Sequence, residues 1–522
     1  MLLTDSQFNA KKYIIDNLSK ERIILLEGAA GTGKTTLTKS LAEHYGTSIC
    51  VIAPTHKAKR VIQNTLNSGL LIPITAFTVA SALSKIKEHS YVGTKIYSNS
   101  TIKKLYLYTL FILDEVSMVE DNDLKKIIEY VKSTNKQLII IGDSNQIPCP
   151  NTHFIKRDNY IEKADSFIFR DNSITKLTLF DIVRQCADSP IIQLSQHIIQ
   201  NLNTDINVKD TDFQNIIEPS EIYHNFAKYY DKNNINSVKI IAYTNQAVRV
   251  HNIEIRNYLR YTEPFVIGDV LMGYTNIGYP ELIIENGQEY MVNRVINTQN
   301  QSIGTFHNLS GYLLDLNKER RSRPIRNVFF INIHSSINYE FLNKLIELGE
   351  KINENRSTKV DYRKYMELKN NALFMEDIYK YEDIIYTETT FKERHPLLFI
   401  NVNEILENGK IKKSLLSDKI RESYMDIITD RIVDNKIIGI NEIFADKYKV
   451  IEKDIYYGYA LTAHKSQGST YTNVIVDETD FQKIYNKWNY KYNMLESRIK
   501  EKNQLRYVAY TRAKSNLLIA LL

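Results

Sequence analysis

Residues 22–36 read Arg-Ile-Ile-Leu-Leu-Glu-Gly28-Ala-Ala-Gly-Thr-Gly33-Lys34-Thr35-Thr36. A short apolar run of strand length meets a glycine-rich turn, and Thr35–Tyr45 behind it reads as a helix. Gly28 to Thr35 fit the spacing G-x-x-x-x-G-K-[ST]. The glycines let backbone N–H groups close around phosphate oxygens, and the helix N-terminus adds a favourable dipole. Lys34 is placed to reach the β- and γ-phosphates of a nucleotide and Thr35 to ligate Mg²⁺. Outward from this loop, Ser48–Ala53, Leu110–Leu113 and Gln137–Ile141 are further short β-rich runs, with helical stretches such as Lys57–Leu66 between them. Strands alternating with helices predict a parallel sheet with helices on both faces.

Phe111-Ile-Leu-Asp114-Glu115 is an apolar strand that ends in two carboxylates. In the same sheet as a phosphate loop, Asp114 is placed to hold Mg²⁺ and Glu115 to take a proton from an attacking water. Loop and carboxylates together point to nucleotide hydrolysis with Mg²⁺ rather than to nucleotide binding alone.

The chain has 522 residues, with 67 Lys plus Arg against 61 Asp plus Glu, a formal net charge of +6. That excess permits nucleic-acid binding without arguing for it. The length corresponds to roughly three or four domain-sized units. No apolar run approaches the ~18 residues of a spanning helix, and charged residues interrupt the first 30 positions, so neither a membrane span nor a signal peptide is expected. The three cysteines stand far apart, which excludes a disulfide framework or a cysteine zinc site and fits a reducing cytoplasm.

The rhythm breaks at 84–108, a polar stretch that reads as an inserted hairpin. A second α/β unit is expected from Ile174–Leu179, with a strand at Val238–Tyr243. From about residue 262, short strand-like runs with Gly and Asn turns suggest a small β-barrel, and 338–375 reads as a helix pair. Second-unit character returns at Ile455–Tyr457, Thr472–Val476 and Asn516–Leu522. The expected division is 1–150 with the 84–108 hairpin, 151–261, an insertion at 262–450, and 451–522.

Eight blocks in order carry a resemblance. They are Gln7 within Leu3–Ala10; Ala53-Pro54-Thr55-His56-Lys-Ala-Lys59; Asp114-Glu-Val-Ser117; Gly142-Asp-Ser-Asn-Gln146-Ile-Pro148; Arg184-Gln185; Ala242-Tyr-Thr244-Asn245; Leu461-Thr462-Ala-His464-Lys465-Ser-Gln-Gly468-Ser469; and Tyr507-Val-Ala-Tyr-Thr-Arg512-Ala-Lys514. With the phosphate loop, this set resembles superfamily 1 helicases of the 5′-to-3′ branch, the RecD-like and Dda-like DNA helicases. The resemblance covers nearly the whole chain. It implies an α/β architecture of two RecA-like P-loop parallel-sheet domains, an inserted hairpin subdomain, and an inserted SH3-like β-barrel with a helical hook.

The resemblance also implies roles. Gln7 would read adenine, while Gly28, Ala29, Ala30, Gly31, Thr32, Gly33, Lys34, Thr35, Thr36 and Gly468 would hold the nucleotide. Gln146 would couple the γ-phosphate to DNA. Arg184 and Arg512 would enter from the second domain as fingers, worth roughly 10³–10⁵ in rate by analogy with GTPases. Pro54, Thr55, His56, Thr244, Asn245, Thr462, His464 and Lys465 would line the single-strand track, with phosphate contacts that position without reading sequence. The 84–108 hairpin would be the wedge, with Tyr91 or Tyr97 as a stacking surface. The expected activity is ATP-dependent 5′-to-3′ translocation on single-stranded DNA with unwinding of forked duplex, in replication, recombination or repair. An RNA helicase or a translocase without strand separation are the alternatives. The chain starts almost at Gln7, so a stand-alone enzyme acting as a monomer is expected, in the cytoplasm of a bacterial or phage-infected cell. A single-strand-binding or replisome protein is an expected further partner.

Overall fold

The computed structural model describes residues 3–67, 74–83, 85–89, 95–99, 105–149, 153–181, 189–278, 283–318, 324–354, 356–384, 406–407, 410–411, 432–433, 436–437, 444–489 and 491–522. They form two compact units, Met1–Met375 with Lys453–Leu522, and Glu376–Glu452. In the smaller unit, Ile378–Ile384 pairs antiparallel with Phe444–Ile451.

The larger unit contains two parallel sheets. The first has six strands in the order Thr175–Leu179, Ile23–Gly28, Gln137–Gly142, Leu110–Leu113, Ile49–Ala53 and Thr75–Thr78. Its central strands are apolar throughout because helices cover both faces. Ala10, Ile14 and Leu18 of the helix Asp5–Glu21 pack on one face with Leu37, Leu41, Ile62 and Leu66. Leu124, Ile127, Ile128 and Val131 of Asp121–Ser133 pack on the other. The second sheet has five strands in the order Ile216–Ile217, Ala513–Ala520, Tyr471–Asp477, Val238–Ala242 and Ala460–Thr462. The α/β architecture with two parallel sheets is therefore as expected.

Two strands sit elsewhere than expected. Thr175–Leu179, assigned from sequence to the second unit, is the edge strand of the first sheet, paired Leu26 to Leu177. The break expected at 150/151 is thus misplaced, and the first sheet extends to Leu179. Ile455–Tyr457, also assigned to the second unit, joins an antiparallel sheet instead, in the order Ile325–Ile331, Phe306–Asn317, Glu289–Ile303, Val270–Gly273 and Ile455–Tyr457. That sheet therefore reaches past the expected limit at 450. In both cases local pattern identifies a strand, but its partner is a long-range choice that a five-residue run does not encode. The helix pair appears as Tyr339–Asn353 and Lys359–Asn371, and Lys85–His89 pairs antiparallel with Lys95–Asn99. A four-stranded sheet not foreseen from sequence joins Phe154–Lys156 and Tyr160–Lys163 to Lys487–Asn489 and Met494–Glu496.

Buried carboxylates hold these layers in place. Asp269, wholly buried, bonds Arg256, the Tyr459 hydroxyl and the Val266 N–H, tying the helix Asn245–Tyr258 to the antiparallel sheet. Glu289 forms ion pairs with Lys57 at 3.0 Å and Lys239 at 2.6 Å and accepts from the Tyr471 hydroxyl at 3.1 Å. Burial pushes its carboxyl up, but the two lysines outweigh burial and hold it down to about 2. One side chain thereby joins the helix His56–Asn67, the antiparallel sheet and the second parallel sheet.

Candidate active site

Because every strand of the first sheet runs the same way, the loops that leave its carboxyl ends share one edge. Gly28, Asp114 and Asp143 all stand at such ends. At this edge lies a cleft of about 360 Å³ lined by Ala30, Gly31 and Gly33 to Thr36 of the phosphate loop, by Asp114, Glu115 and Gln146, and by Gly468, Ser469, Thr470 and Arg512 from the second sheet's side. Ala58, Val61 and Ile62 supply its apolar wall.

The phosphate loop needs its glycines for particular reasons. Gly31 and Gly33 have φ of 89° and 76°, the left-handed region that favours glycine. A Cβ on Gly28 would meet the Thr32 hydroxyl at 2.5 Å. Gly468 also has a left-handed φ, 72°, where it borders the cleft. Lys34 donates to the carbonyls of Gly28 at 2.6 Å and Ala29 at 3.0 Å, so its ammonium lies against the loop.

Glu115 adopts φ 52°, ψ 47°, an unfavourable conformation for a residue with a Cβ. Such strain costs about 1–3 kcal/mol and persists only where the surroundings impose it. It turns the carboxylate into the cleft, where Oε2 is buried without a hydrogen-bond partner, as is Oε1 of Gln146. Burial, with Glu115 beside it, pushes the Asp114 carboxyl well above the usual carboxylate range, and Lys34 opposes the shift. Two crowded carboxylates, an orphaned acceptor and the Thr35 hydroxyl are a hard-oxygen donor set that fits a Mg²⁺ shared with phosphate oxygens. Among the described residues no group of three or more His, Cys, Asp or Glu is arranged to hold a metal by itself.

Arg512 is buried at the cleft wall, donating to the carbonyls of Val508 and Ser469 and to the Thr511 hydroxyl. Burial pushes its guanidinium below its usual value, while the charge of Glu115 opposes that. Arg184 lies outside the described residues, as do Gln185 and Tyr91. Tyr97 lies on the strand Lys95–Asn99.

Gln7 stands behind the loop rather than in the cleft. Its Nε2 donates to the Thr32 carbonyl at 2.9 Å and its Oε1 accepts from the Thr4 N–H at 3.2 Å. These two bonds anchor the side chain to the phosphate loop.

The residues expected on the strand track also follow strand ends. Thr55, Thr244 and Thr462 each cap the helix that follows, receiving the N–H groups of Ala58, Ala247 and Lys465. The Thr244 hydroxyl also donates to Asp480 at 3.0 Å, and the Tyr243 and Thr244 N–H groups donate to the same carboxylate. Burial lowers His464 and, more weakly opposed by the nearby Glu285, His56, so both imidazoles favour the neutral form. Burial and the neighbouring Lys453 hold the Lys465 ammonium down to about 7, with its Nζ 3.2 Å from the Tyr274 ring centroid.

One residue of the site escaped the sequence reading. Tyr507, on the helix Ile499–Tyr510, accepts from the Ala30 N–H of the phosphate loop at 2.6 Å and donates to Asp143 at 2.8 Å. It therefore joins the second sheet's helix to two loops of the first. Burial and Asp143 raise its phenol well above the usual range, which keeps the donated proton in place. Its signal lay within the Tyr507–Lys514 block, but all of residues 501–510 are buried, including Glu501, Lys502 and Arg506. Those charges are matched inside the fold by Lys163, Asp205 and Glu478.

A family model described as an AAA domain matches residues 2–210. The ATP-dependent DNA helicase Dda of Enterobacteria phage T4 is 27% identical over 320 residues, covering 55% of this chain and 66% of that protein. The ATP-dependent RecD2 DNA helicase of Deinococcus radiodurans is 27% identical over 189 residues, covering 36% of this chain and 23% of that one. The crystal structure of the Pif1 helicase from Candida albicans aligns with 100% of this chain and 95% of its own, at 16% identity and a TM-score of 0.47. The sequence relatives agree with the resemblance carried by the motifs.

Replacing Tyr507 with Phe keeps the ring and removes both bonds. Each contributes about 1 kcal/mol to stability, so the melting temperature should fall by a few degrees, and kcat for ATP turnover should fall as well because the phosphate loop loses its link to the helix. A variant with normal kcat and a lowered melting temperature would assign Tyr507 a packing role only.

Proposed function

We propose that this chain, whose motifs and relatives are those of superfamily 1 helicases of the 5′-to-3′ branch, is an ATP-dependent DNA helicase that moves 5′ to 3′ on a single strand and opens the duplex ahead. The observation that carries this is the composition of the cleft. Lys34, Thr35, Asp114, Glu115 and Gln146 come from one parallel sheet, and Gly468 and Arg512 come from the other. A nucleotide bound there touches both, so its hydrolysis changes how they are held together.

Within this reading the loop N–H groups and Lys34 bind the β- and γ-phosphates. Thr35 and Asp114 would hold Mg²⁺, which supplies charge neutralisation to the phosphates when bound. Glu115 takes the proton of the attacking water, and its strained backbone aims it. Gln146 and Arg512 contact the γ-phosphate, with Arg184 as a second finger from the following segment. Gln7, anchored to the loop, reads the adenine. Pro54, Thr55, His56, Thr244, Asn245, Thr462, His464 and Lys465 follow the strand, largely through neutral groups and backbone donors. The partners are single-stranded and forked DNA, with a single-strand-binding or replisome protein beyond them, and the chain acts as a monomer. In this organisation the first RecA-like domain runs to Leu179. The second is interrupted by the SH3-like barrel and hook and resumes near Ala460.

Forks with a 5′ or a 3′ single-stranded tail test the function. The 5′-tailed fork should be unwound with ATP and the 3′-tailed fork left paired, and Lys34→Ala should abolish both ATP turnover and unwinding while retaining strand binding. A Lys34→Ala variant that still hydrolyses ATP normally would overturn the site assignment. Unwinding of 3′-tailed forks alone would reverse the polarity.

The 84–108 hairpin serves as the wedge in this reading. Opening one base pair costs about 1.4 kcal/mol of stacking, and an aromatic platform returns about 1–3 kcal/mol per base. Tyr97→Ala should therefore slow unwinding more than translocation. Equal slowing of both would remove Tyr97 from strand separation.

Lys465 adds a pH dependence. With its ammonium held down to about 7, it is neutral above that pH and charged below it. A DNA phosphate beside it favours the charged form, so strand binding takes up a proton. Affinity should rise as pH falls from about 9 towards about 7, by at most about tenfold per pH unit for one proton, and level off below, where the free ammonium is already charged. Lys465→Met should flatten the profile, and an unchanged slope in that variant would show that another group titrates.

A further inference from the structure

The chain has one tryptophan, Trp488, and it is 49% exposed. It lies on the edge strand Lys487–Asn489 of the four-stranded sheet that joins the 154–163 hairpin to the 487–496 segment. In register, Trp488 stands opposite Leu495 and Leu495 opposite Tyr160. Residues directly opposed across strands point to the same face. The three side chains therefore form one row across three strands, and Leu495 and Tyr160 are 39% and 36% exposed. The next row, Lys487, Glu496 and Ile161, points the other way. Glu496 and Ile161 in it are buried. One face of the sheet is thus packed and the other offers an aromatic, aliphatic and aromatic row to solvent.

The surroundings of the row are basic. The Arg157 N–H donates to the Tyr160 carbonyl at the end of the row, and its exposed guanidinium pairs with the buried Glu162. Lys491 sits, exposed, in the turn between Lys487–Asn489 and Met494–Glu496, while Lys487 on the other face pairs with Glu496 at 3.8 Å. Asp158 is the exposed acid nearby. The sheet is also fastened to the proposed strand track. Ser497 N–H donates to the Ile161 carbonyl at 2.8 Å, and Arg498 donates to the hydroxyl of Tyr243, the residue before Thr244, at 2.8 Å. Lys163 and Arg498 share Glu501, whose charge acts on His464.

We propose that this exposed face is a base-stacking platform for single-stranded DNA, continuing the strand path beyond Thr244 and His464. The proposal rests on the single-strand binding argued above. Trp488 and Tyr160 stack on base faces, and Arg157 and Lys491 meet the phosphates. Strands lie about 4.8 Å apart, so the row spans about 10 Å, room for two or three bases, as in sheet modules that stack bases on exposed aromatics. A protein partner fits less well. Three partly exposed side chains offer on the order of 300 Å² of apolar surface, against about 800 Å² per partner in a stable protein interface.

Because the tryptophan is unique, its selectively excited emission reports on this face alone. The full chain is titrated with oligothymidylates from about 4 to about 20 nucleotides, around the usual site sizes for single-strand binders, while ATP turnover is followed. Short strands should stimulate turnover without altering the emission, and longer strands should quench it. The gain in affinity from short to long strands should fall about tenfold in Trp488→Ala and in Tyr160→Ala, and Trp488→Phe, which keeps a ring, should retain most of it. Long strands that bind to saturation with unaltered emission, or a Trp488→Ala variant that keeps the full gain, would overturn the platform and leave the face to another partner. If no oligothymidylate of any length stimulates turnover, the helicase reading fails, and this proposal fails with it.

Discussion

The site depends on parallel strands. When every strand of a sheet points the same way, all the loops that leave their carboxyl ends emerge at one edge. Gly28, Pro54, Asp114 and Asp143 occupy that edge in the first sheet, and Thr244 and Ala463 follow strand ends in the second. Neither edge is sufficient alone, since Arg512 and Gly468 face Lys34 and Glu115 across the same cleft. What joins the edges is small. The Tyr507 hydroxyl reaches the Ala30 N–H and the Asp143 carboxylate at once, so a change at the phosphate loop is felt by the helix that leads into Arg512.

Around this joint, buried carboxylates fix the angles between layers. Glu289 draws Lys57, Lys239 and Tyr471 together, Asp480 holds the turn that precedes Asn245, and Asp269 fastens the antiparallel sheet. Pairs of this kind contribute little net stability over an apolar replacement, and losing one partner is costly. Their value here is positional. Lys57 belongs to the helix whose Ala58, Val61 and Ile62 wall the cleft, so Glu289 ties the nucleotide site to the antiparallel sheet.

Much of this was legible in the sequence where chemistry and local pattern coincide. The phosphate loop, the Asp114–Glu115 strand end and the alternation of strands with helices each follow from short-range spacing, and Lys34, Asp114, Glu115, Gln146, Gly468 and Arg512 do line one cleft. Long-range pairing was not legible. Thr175–Leu179 and Ile455–Tyr457 read as strands, but their partners lie in other layers than their sequence neighbours suggested. The helix 499–510 carries charges typical of a surface and is buried because acids and bases elsewhere match them. The Gln7 amide meets Thr32 and Thr4, contacts that local pattern did not specify. Tyr507 was invisible as a link because a hydroxyl bridging two sheets leaves no periodic trace.

The small net charge accords with the same picture. Carboxylates are needed at the cleft and between the layers, and the proposed track uses capped threonines and two imidazoles that favour the neutral form. A motor that releases its strand at each step needs little excess positive charge. The central claim is that one nucleotide cleft serves both sheets and that the strand is sensed through them. Steady-state ATP turnover, measured while single-stranded DNA is added, tests it most directly. Turnover should be slow without DNA and rise to saturation with it; turnover that is indifferent to DNA would contradict the account.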